Sequence, residues 1–217
     1  MSMTDTFKHQ GLRKKLVELL KEKGIQNKEV LDAIGRVPRH FFIDSQLDKF
    51  AYQDMAFKID AGQTISQPYT VARQTELLQV SKGMKILEIG TGSGYQTCIL
   101  LELGAKVYTI ERQKILNEKS RILLESMNYH PKFYYGDGYA GLPSFAPFDR
   151  ILVTCGAPNV PQALTDQLKV GGILVIPVGE GETQIMKVIR KNADGTLQEE
   201  EQGLFKFVPM LKNKSGA

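Results

Sequence analysis

Residues 85–94 read KILEIGTGSG, an apolar run followed by three glycines within five positions. The run at 85–89 is typical of a buried strand, and glycine allows the backbone to turn sharply and to lie close to a ligand. Residues 95–103 then have a helical pattern, and residues 106–110 again have a strand pattern. A strand, a glycine turn, a helix and a strand predict a right-handed βαβ unit within a parallel sheet.

The same alternation extends toward the C-terminus. Further patterns follow one another along the chain: a helix at 113–127, strands at 132–135, 149–154 and 172–177, and a helix at 160–168. Residues 184–208 predict two more strands, with a turn at 192–195 (NADG) and no helix between them. We therefore predict an α/β fold whose doubly wound, mostly parallel sheet has about seven strands, is Rossmann-like and ends in an antiparallel edge.

The first 80 residues have a different character. Helical patterns cover 7–23, 28–34 and 68–79, and the segment 39–63 between them is aromatic-rich and irregular. No Pro/Gly/Ser-rich linker separates this N-terminal helical segment from the rest of the chain. We predict that residues 1–80 form the substrate side, and residues 81–217 the ligand-binding sheet, of a single domain covering 1–217.

Composition limits the possible classes of protein. With 42% hydrophobic and 24% charged residues among 217, ordinary globular folding is expected. The longest apolar runs, such as 172–178, are too short to cross a bilayer, so no membrane association is expected. Cys98 and Cys155 are isolated, which favours a reducing cytoplasm and predicts neither disulfides nor a metal site. The net charge of +4 is too small to predict a nucleic-acid partner.

Acidic residues follow two of the predicted strands, and ligands bind at the carboxyl ends of parallel strands. Glu111 lies 21 positions after Gly90, and its carboxylate can accept hydrogen bonds from both hydroxyls of a ribose. Asp137, between Gly136 and Gly138, can accept the exocyclic amine of an adenine. Each residue also has a plainer explanation: Glu111 as a solvated loop acid, and Asp137 as part of an Asp-Gly turn.

Three such elements at successive strand ends resemble the cofactor site of the class I S-adenosylmethionine-dependent methyltransferases. The resemblance implies that Glu88 and the glycine loop face the methionine part of the cofactor, Glu111 the ribose and Asp137 the adenine. It places these residues at the cofactor: Ile65, Ser66, Gln67, Glu88, Gly90, Thr91, Gly92, Glu111, Arg112, Gly136, Asp137 and Gly138. Carboxylates near a sulfonium also suit its positive charge.

A segment that precedes the sheet indicates a particular family within this class: residues 62–68 read GQTISQP. Other blocks accompany it: RVPRH at 36–40, LEIGTGSGYQ at 87–96, VYTIER at 107–112, GDG at 136–138, APFDR at 146–150 and GILVIPVG at 172–179. Together these blocks closely resemble the protein-L-isoaspartate O-methyltransferases of the bacterial type. The sequence departs from the family pattern at Cys155-Gly156 and at 57–61 (FKIDA), and both departures concern the peptide groove.

The family resemblance implies an activity. Members of that family transfer a methyl group from S-adenosyl-L-methionine to the free α-carboxylate of L-isoaspartyl residues, which initiates repair of damaged proteins and peptides through a succinimide. We accordingly expect isoaspartyl-containing proteins and peptides as partners. We also expect a monomer and a cytoplasmic location.

Ser66 is the predicted catalytic residue, with Thr64 sharing the task. A carboxylate with a pKa near about 4 is already ionised at pH 7, so the reaction needs no general base. It needs the carboxylate to be held in the correct orientation, because the attacking oxygen must lie in line with the S–CH₃ bond at roughly 3 to 3.5 Å. The resemblance implies that Ser66 is the active-site serine, whose hydroxyl holds one carboxylate oxygen and leaves the other free. Alternatively, Ser66 is the N-cap of a helix that begins near Pro68, and the two roles are compatible.

Other functions remain as alternatives. An NAD(P)-dependent oxidoreductase would share the Rossmann-like sheet, but the spacing here is G-x-G-x-G and not G-x-G-x-x-G, and the chain has no Tyr-x-x-x-Lys pair. Base methylation is disfavoured, because residues 154–158 read TCGAP, without the Asn/Asp-Pro-Pro-aromatic motif. A methyltransferase acting on another carboxylate and a non-catalytic binding module are the remaining alternatives.

Overall fold

The computed structural model describes residues 4–216 of the chain. Within these residues, six α-helices and nine strands follow one another in chain order: α1 Phe7–Glu22, α2 Lys28–Arg36, β1 Phe57–Lys58, β2 Thr64–Ile65, α3 Pro68–Leu78, β3 Lys85–Ile89, α4 Tyr95–Glu102, β4 Lys106–Glu111, α5 Lys114–Ser126, β5 Lys132–Tyr135, β6 Phe148–Val153, α6 Gln162–Asp166, β7 Leu168–Val178, β8 Gln184–Lys191 and β9 Leu197–Phe205. Short 3₁₀ turns occupy much of the segment between α2 and β1.

Local sequence explains where the N-terminal helices begin and end. The hydroxyl of Thr6 accepts a hydrogen bond from the backbone N–H of His9, which caps α1. The side chain of Asn27 caps α2 in the same way, by accepting from the N–H of Val30. Proline at position 68 is the first residue of α3, where its missing N–H costs nothing. The three predicted N-terminal helices are confirmed, with ends that differ by one or two residues.

Seven strands form one sheet in the order β5-β4-β3-β6-β7-β8-β9. The pairs from β5 to β7 are parallel, whereas β8 pairs antiparallel with both β7 and β9. The predicted α/β fold, with its antiparallel C-terminal edge, is confirmed. The first strand of the unit, β3, lies between β4 and β6, so the strand order reverses there and a crevice opens at the carboxyl ends.

The largest differences from the prediction concern α6, β7 and the segment 39–63. The helix expected at 160–168 is shorter, Gln162–Asp166, and β7 begins at Leu168 instead of 172. The early start is possible because a register shift lets Leu168 pair with Phe148 before the regular pairing begins at Ile173. The segment 39–63 was expected to be irregular throughout, yet it contributes β1, which pairs antiparallel with β2. Strands of two residues are too short to produce a periodic pattern.

The N-terminal helices pack against the sheet through one apolar cluster. Leu16 and Leu20 of α1, Val71 of α3, Cys98 of α4 and Leu124 of α5 are all buried in it. This packing carries the segment between β1 and α3 across to the crevice at the strand ends. Within residues 4–216, no helix combines the length and the apolar character that spanning a membrane requires.

Candidate active site

The glycine loop after β3 adopts backbone conformations that few other residues tolerate. Gly90 has φ 94° and Gly94 has φ 87°. A Cβ on Gly90 would lie 2.6 Å from Oγ1 of Thr154, and one on Gly94 would lie 2.5 Å from Cδ1 of Leu124. The glycines are therefore required both by the turn and by the close approach of β6 and α5.

Glu111, at the end of β4, holds the glycine loop in place. Its Oε2 accepts a hydrogen bond from the N–H of Gly92 at 2.9 Å, and its Oε1 accepts one from the N–H of Gln113 at 2.8 Å. The carboxylate is 5% exposed. Burial raises its pKa, against the lowering effect of these N–H groups. Each oxygen keeps a further lone pair toward the crevice, which two ribose hydroxyls could use.

A narrow cleft lies beside Glu111 and has an apolar floor. Ile89, Ile110, Gly138 and Met210 line it together with Glu111. A Cβ at Gly138 would lie 2.4 Å from Cγ2 of Ile89, so glycine is needed for the loop to pack there. A flat apolar surface next to a carboxylate suits an adenosine, whose base is planar and whose ribose offers two donors. The residues present therefore fit the cofactor that the sequence predicts.

The segment 208–216 closes one side of this cleft and engages two predicted cofactor residues. Oδ2 of Asp137 accepts a hydrogen bond from the N–H of Asn213 at 2.9 Å, while its Oδ1 accepts from the N–H of Tyr139. Nε of Arg112 donates to the carbonyl of Asn213 at 2.9 Å. Sequence reasoning placed Asp137 and Arg112 against the cofactor and missed this C-terminal partner. The apolar run at 208–211 (VPML) was the available signal.

Glu88 lies differently from the prediction. Its side chain is fully buried against α4, where Oε2 accepts a hydrogen bond from the hydroxyl of Thr97 at 2.5 Å. Oε1 has no hydrogen-bond partner among the described residues. Burial raises the pKa of Glu88 to about 7, although the hydroxyls of Thr97 and Thr109 lower it. Because side chains alternate along a strand, Glu88 points away from the side that Ile89 presents to the cleft.

Ser66 lies between β2 and α3, beside a second depression. That groove runs from Asp54 past Ser66 to the Gln202–Val208 segment of the C-terminal edge. The N-cap residue of α3 is Gln67, without a side-chain cap bond, so the N-cap alternative for Ser66 is wrong. Within residues 4–216, the hydroxyl of Ser66 has no hydrogen-bond partner in the protein.

The cleft and the groove meet at two threonines. Thr64 and Thr154 line both depressions. A small cavity between them is lined by Ser66 together with Gly90, Gly92 and other loop residues. The hydroxyl of Thr154 lies 2.6 Å from the carbonyl oxygen of Gly90 and 2.9 Å from that of Ile89, and its single O–H donates between them, which ties the end of β6 to the glycine loop. The catalytic pair predicted from sequence is thus at the junction of the two depressions.

The remaining predicted cofactor residues are buried beside the cleft or bonded to neighbouring segments. Ile65 is buried, and the side-chain amide of Gln67 donates to Asp54 at 3.0 Å. The hydroxyls of Thr91 and Thr109 lie 2.6 Å apart in a buried pair. Gly136 is buried behind Ile110, where a Cβ would lie 2.9 Å from Cδ1 of that residue. Ile65, Thr91 and Gly136 thus shape the walls, and Gln67 makes a contact with the N-terminal segment that sequence reasoning missed.

Cys155 and His40 are not placed for catalysis. Cys155 lines the cleft, and burial beside Glu111 raises the pKa of its thiol to about 12, so the thiolate that nucleophilic chemistry needs is scarce. His40 shares a hydrogen bond of 2.7 Å with the hydroxyl of Tyr52, and its ring stacks on that of His9 at 3.8 Å.

A doubly wound sheet with a G-x-G-x-G loop after its first parallel strand and an acid at the end of the next defines a class I S-adenosylmethionine-dependent methyltransferase. Comparison with protein families narrows this class. The family model described as Protein-L-isoaspartate(D-aspartate) O-methyltransferase (PCMT) matches residues 11–215, and the chain belongs to this family.

Individual relatives agree with that placement. A protein-L-isoaspartate O-methyltransferase of Flavobacterium psychrophilum is 57% identical over 214 residues, covering 98% of this chain and 100% of the relative. One of Cytophaga hutchinsonii is 57% identical over 209 residues, covering 96% and 95%. Among solved structures, one from Plasmodium falciparum, in complex with S-adenosyl-L-homocysteine, has 27% identity and a TM-score of 0.80, covering 93% of this chain and 99% of that one. These relationships do not support the oxidoreductase alternative.

Proposed function

We propose that this chain transfers a methyl group from S-adenosyl-L-methionine to the free α-carboxylate of L-isoaspartyl residues in damaged proteins and peptides, which initiates repair through a succinimide. Its relatives carry the name of this activity. The observation that carries the proposal is the junction of cleft and groove at Thr64 and Thr154, beside a Ser66 hydroxyl that has no hydrogen-bond partner in the described part of the chain. A cofactor in the cleft and a peptide in the groove could meet only there.

The cleft residues divide the binding of the cofactor between them. Glu111 would accept hydrogen bonds from the ribose hydroxyls, while Ile89, Ile110 and Gly138 would contact the adenine. Gly90 and Gly92 would leave room for the methionine part beside the glycine loop. When bound, the cofactor supplies an electrophilic methyl group on a sulfonium. Arg112 and Asp137 support this site through the C-terminal segment that they hold.

The chain's own task is to bind, orient and shield the substrate carboxylate. The hydroxyl of Ser66 donates a hydrogen bond to one oxygen, and the hydroxyl of Thr64 shares this task. The second oxygen stays free and ionised, so no side chain has to remove a proton. The small cavity at the junction leaves room for little water around the carboxylate, and lower hydration makes the carboxylate a better nucleophile.

The groove suits an extended peptide. Its far wall is the carboxyl end of β9 and the residues after it, and Leu204 in this wall is 68% exposed. Beyond Gly203, which has φ 90°, a register shift separates this part of β9 from the regular pairing with β8. Because β9 is the edge strand of the sheet, an extended backbone could lie along this wall, which favours a substrate recognised by its altered backbone.

A comparison of two peptides tests the proposed function. The chain is incubated with labelled S-adenosyl-L-methionine and an isoaspartyl peptide, or with its twin that contains normal aspartate. We expect base-labile methyl ester from the first peptide and background from the second. Equal labelling of both peptides would favour a less selective carboxylate methyltransferase, and labelling of neither would favour a binding module.

Replacement of Ser66 by alanine tests the positioning role. We expect Ser66→Ala to keep its affinity for S-adenosyl-L-homocysteine but to lose roughly 10²-fold in kcat, because a carboxylate without its hydrogen bond leaves the in-line geometry. The matched control is Ser126→Ala, an exposed serine at the end of α5. Initial rates and calorimetry measure the two properties. A kcat equal to that of the wild type would exclude Ser66 from the machinery.

We also propose the setting in which the enzyme works. Residues 1–80 and 81–217 would act as a single domain, because one apolar cluster joins α1, α2 and α3 to α4 and α5. Both cysteines are free thiols, which supports a reducing cytoplasm. The chain would act as a monomer on protein substrates, without nucleic acid, membrane or metal.

A further inference from the structure

Arg39 is a fully buried cation just behind the proposed catalytic serine. Its Nε donates to the carbonyl of Ala51 at 3.1 Å, and its Nη2 donates to the carbonyl of Ser66 at 2.9 Å. A longer contact of 3.3 Å joins Nη2 to the carbonyl of Met55. The guanidinium also lies over the ring of Tyr95, 4.9 Å from its centroid. One side chain thus joins the two segments that border the groove.

Burying an arginine to join two loops carries a large desolvation penalty. Burial lowers the pKa of Arg39 to about 10, which still leaves the guanidinium charged at neutral pH. Its Nη1 and the hydroxyl of Tyr95 have no hydrogen-bond partners among the described residues. Well-packed apolar side chains stabilise a core as well as or better than a buried charge does. The arrangement is therefore better explained by geometry at Ser66 than by stability.

Asp54 holds the residues that follow the same serine. Its Oδ1 accepts a hydrogen bond from the N–H of Tyr69 at 2.8 Å, and its Oδ2 accepts one from the side-chain amide of Gln67 at 3.0 Å. Lys23 pairs with the same carboxylate at 2.5 Å. Arg39 and Asp54 thus hold the chain that follows the Ser66 side chain, Arg39 through the carbonyl of Ser66 and Asp54 through Gln67 and Tyr69.

The hydroxyl of Ser66 has no protein partner of its own within residues 4–216, so its direction depends on the backbone that carries it. We propose that Arg39, together with Asp54, is a positioning residue for methyl transfer, acting through the backbone at Ser66. This inference rests on the proposed function, because it assumes that Ser66 holds the substrate carboxylate. A displacement of about 1 Å at a positioning group can cost on the order of 10² in rate.

Replacement of Arg39 by lysine tests the inference while a positive charge remains. Lysine lacks the planar fork and cannot donate to the carbonyls of Ala51 and Ser66 in the same geometry. We expect Arg39→Lys to lower kcat by roughly ten-fold or more, with KM for S-adenosyl-L-methionine and affinity for S-adenosyl-L-homocysteine unchanged within about two-fold. Initial rates with the isoaspartyl peptide, calorimetry and thermal unfolding give these quantities.

Arg13 provides the matched control. It is also a buried arginine, 7% exposed, whose Nε donates to a backbone carbonyl, that of Gly35, at 2.8 Å. Its guanidinium lies near the ring of Tyr52, 5.9 Å from the centroid, but its partners do not include the residues around Ser66. We expect Arg13→Lys to lower the melting temperature and to keep kcat. If kcat follows the melting temperature equally in both variants, Arg39 is merely structural and the inference is wrong.

A second variant decides the matter if Arg39→Lys does not fold. Asp54→Asn keeps the size of the side chain, but an amide nitrogen at Oδ2 cannot accept from Gln67. We expect a folded protein whose kcat is several-fold lower, and a wild-type kcat in this variant would overturn the inference. Ser66→Ala separates the two proposals: wild-type activity in that variant defeats the proposed role of Ser66. Loss in Ser66→Ala with full activity in the Arg39 and Asp54 variants defeats only the inference about positioning.

Discussion

The buried carboxyl group of Glu88 makes the stability of the sheet depend on pH. It is fully buried, it has one hydroxyl partner at Oε2, and burial raises its pKa to about 7 from an ordinary value of 4.5. The folded protein therefore binds this proton more tightly than the unfolded chain does. The contribution of Glu88 to stability is complete below pH 4.5, is lost as the pH rises through 7, and stays lost above it.

Replacement of Glu88 by glutamine tests this linkage. Glutamine resembles the protonated carboxyl group at every pH, so we expect Glu88→Gln to raise the melting temperature at pH 8 by a few degrees. The advantage should shrink as the pH falls toward 5, because the wild-type carboxyl group becomes protonated. Thermal unfolding followed by circular dichroism at several pH values measures the difference, with the exposed Glu118→Gln as a control for net charge. An advantage that does not change with pH would contradict the linkage.

At the scale of elements, the segment after β9 has no regular secondary structure but contributes to the proposed cofactor site. Residues 208–216 cross the carboxyl ends of β6, β5 and β4. The N–H of Met210 donates to the carbonyl of Gly156 at 2.7 Å, and the N–H of Ser215 donates to the carbonyl of Arg112 at 2.8 Å. Met210 is also buried in the apolar cluster next to the cleft. The segment therefore forms one wall of the proposed cofactor site.

Removal of residues 212–217 tests the role of this wall. The deletion takes away the partners of Arg112 and Asp137, so we expect affinity for S-adenosyl-L-homocysteine to fall by about ten-fold, which is roughly 1.4 kcal/mol. Calorimetry measures it. Asn213→Gly is the control, because Asn213 makes these contacts through its backbone and has φ 63°, which glycine tolerates. Unchanged affinity in the truncated chain would show that the wall is dispensable.

At the scale of the whole molecule, the N-terminal segment and the sheet share one core. Cys98 of α4 is fully buried in the cluster that also contains Leu16, Leu20 and Leu124. Burial raises the pKa of its thiol. A reagent can therefore reach Cys98 only when the helices α1 and α2 and the sheet separate. The two parts of the chain should behave as one cooperative unit.

Cysteine labelling tests that cooperativity. In a Cys155→Ser background, we expect Cys98 to react with a thiol reagent at the rate and the denaturant dependence of global unfolding. The unfolding transition followed by far-ultraviolet circular dichroism should have the same midpoint as the labelling transition. Rapid labelling under conditions where the circular dichroism is still native would mean that the N-terminal segment opens on its own.

Particular residues show which features were predictable. The glycine loop, Glu111 and the Thr64–Ser66 segment line the cleft, the groove or the cavity between them, and each belongs to a short motif next to a strand or helix that its own periodicity predicts. Glu88 was expected to face the methionine part of the cofactor, and its side chain lies buried against α4. When both faces of a parallel strand are covered, its sequence carries no alternation that says which side faces a ligand. The β1–β2 pair was not predicted, because each strand has only two residues and so produces no periodic pattern.

The amino-acid sequence by itself determined the order of the helices and of the strands of the main sheet, the glycine turn and the family, since these depend on local spacing and on contiguous motifs. The tertiary structure alone decided which groups meet. Arg39 donates to Ser66 across 27 positions of the chain, and Arg112 reaches Asn213 across 101. Hydrogen bonds between such distant residues depend on how the helices pack on the sheet, and no local pattern encodes that packing.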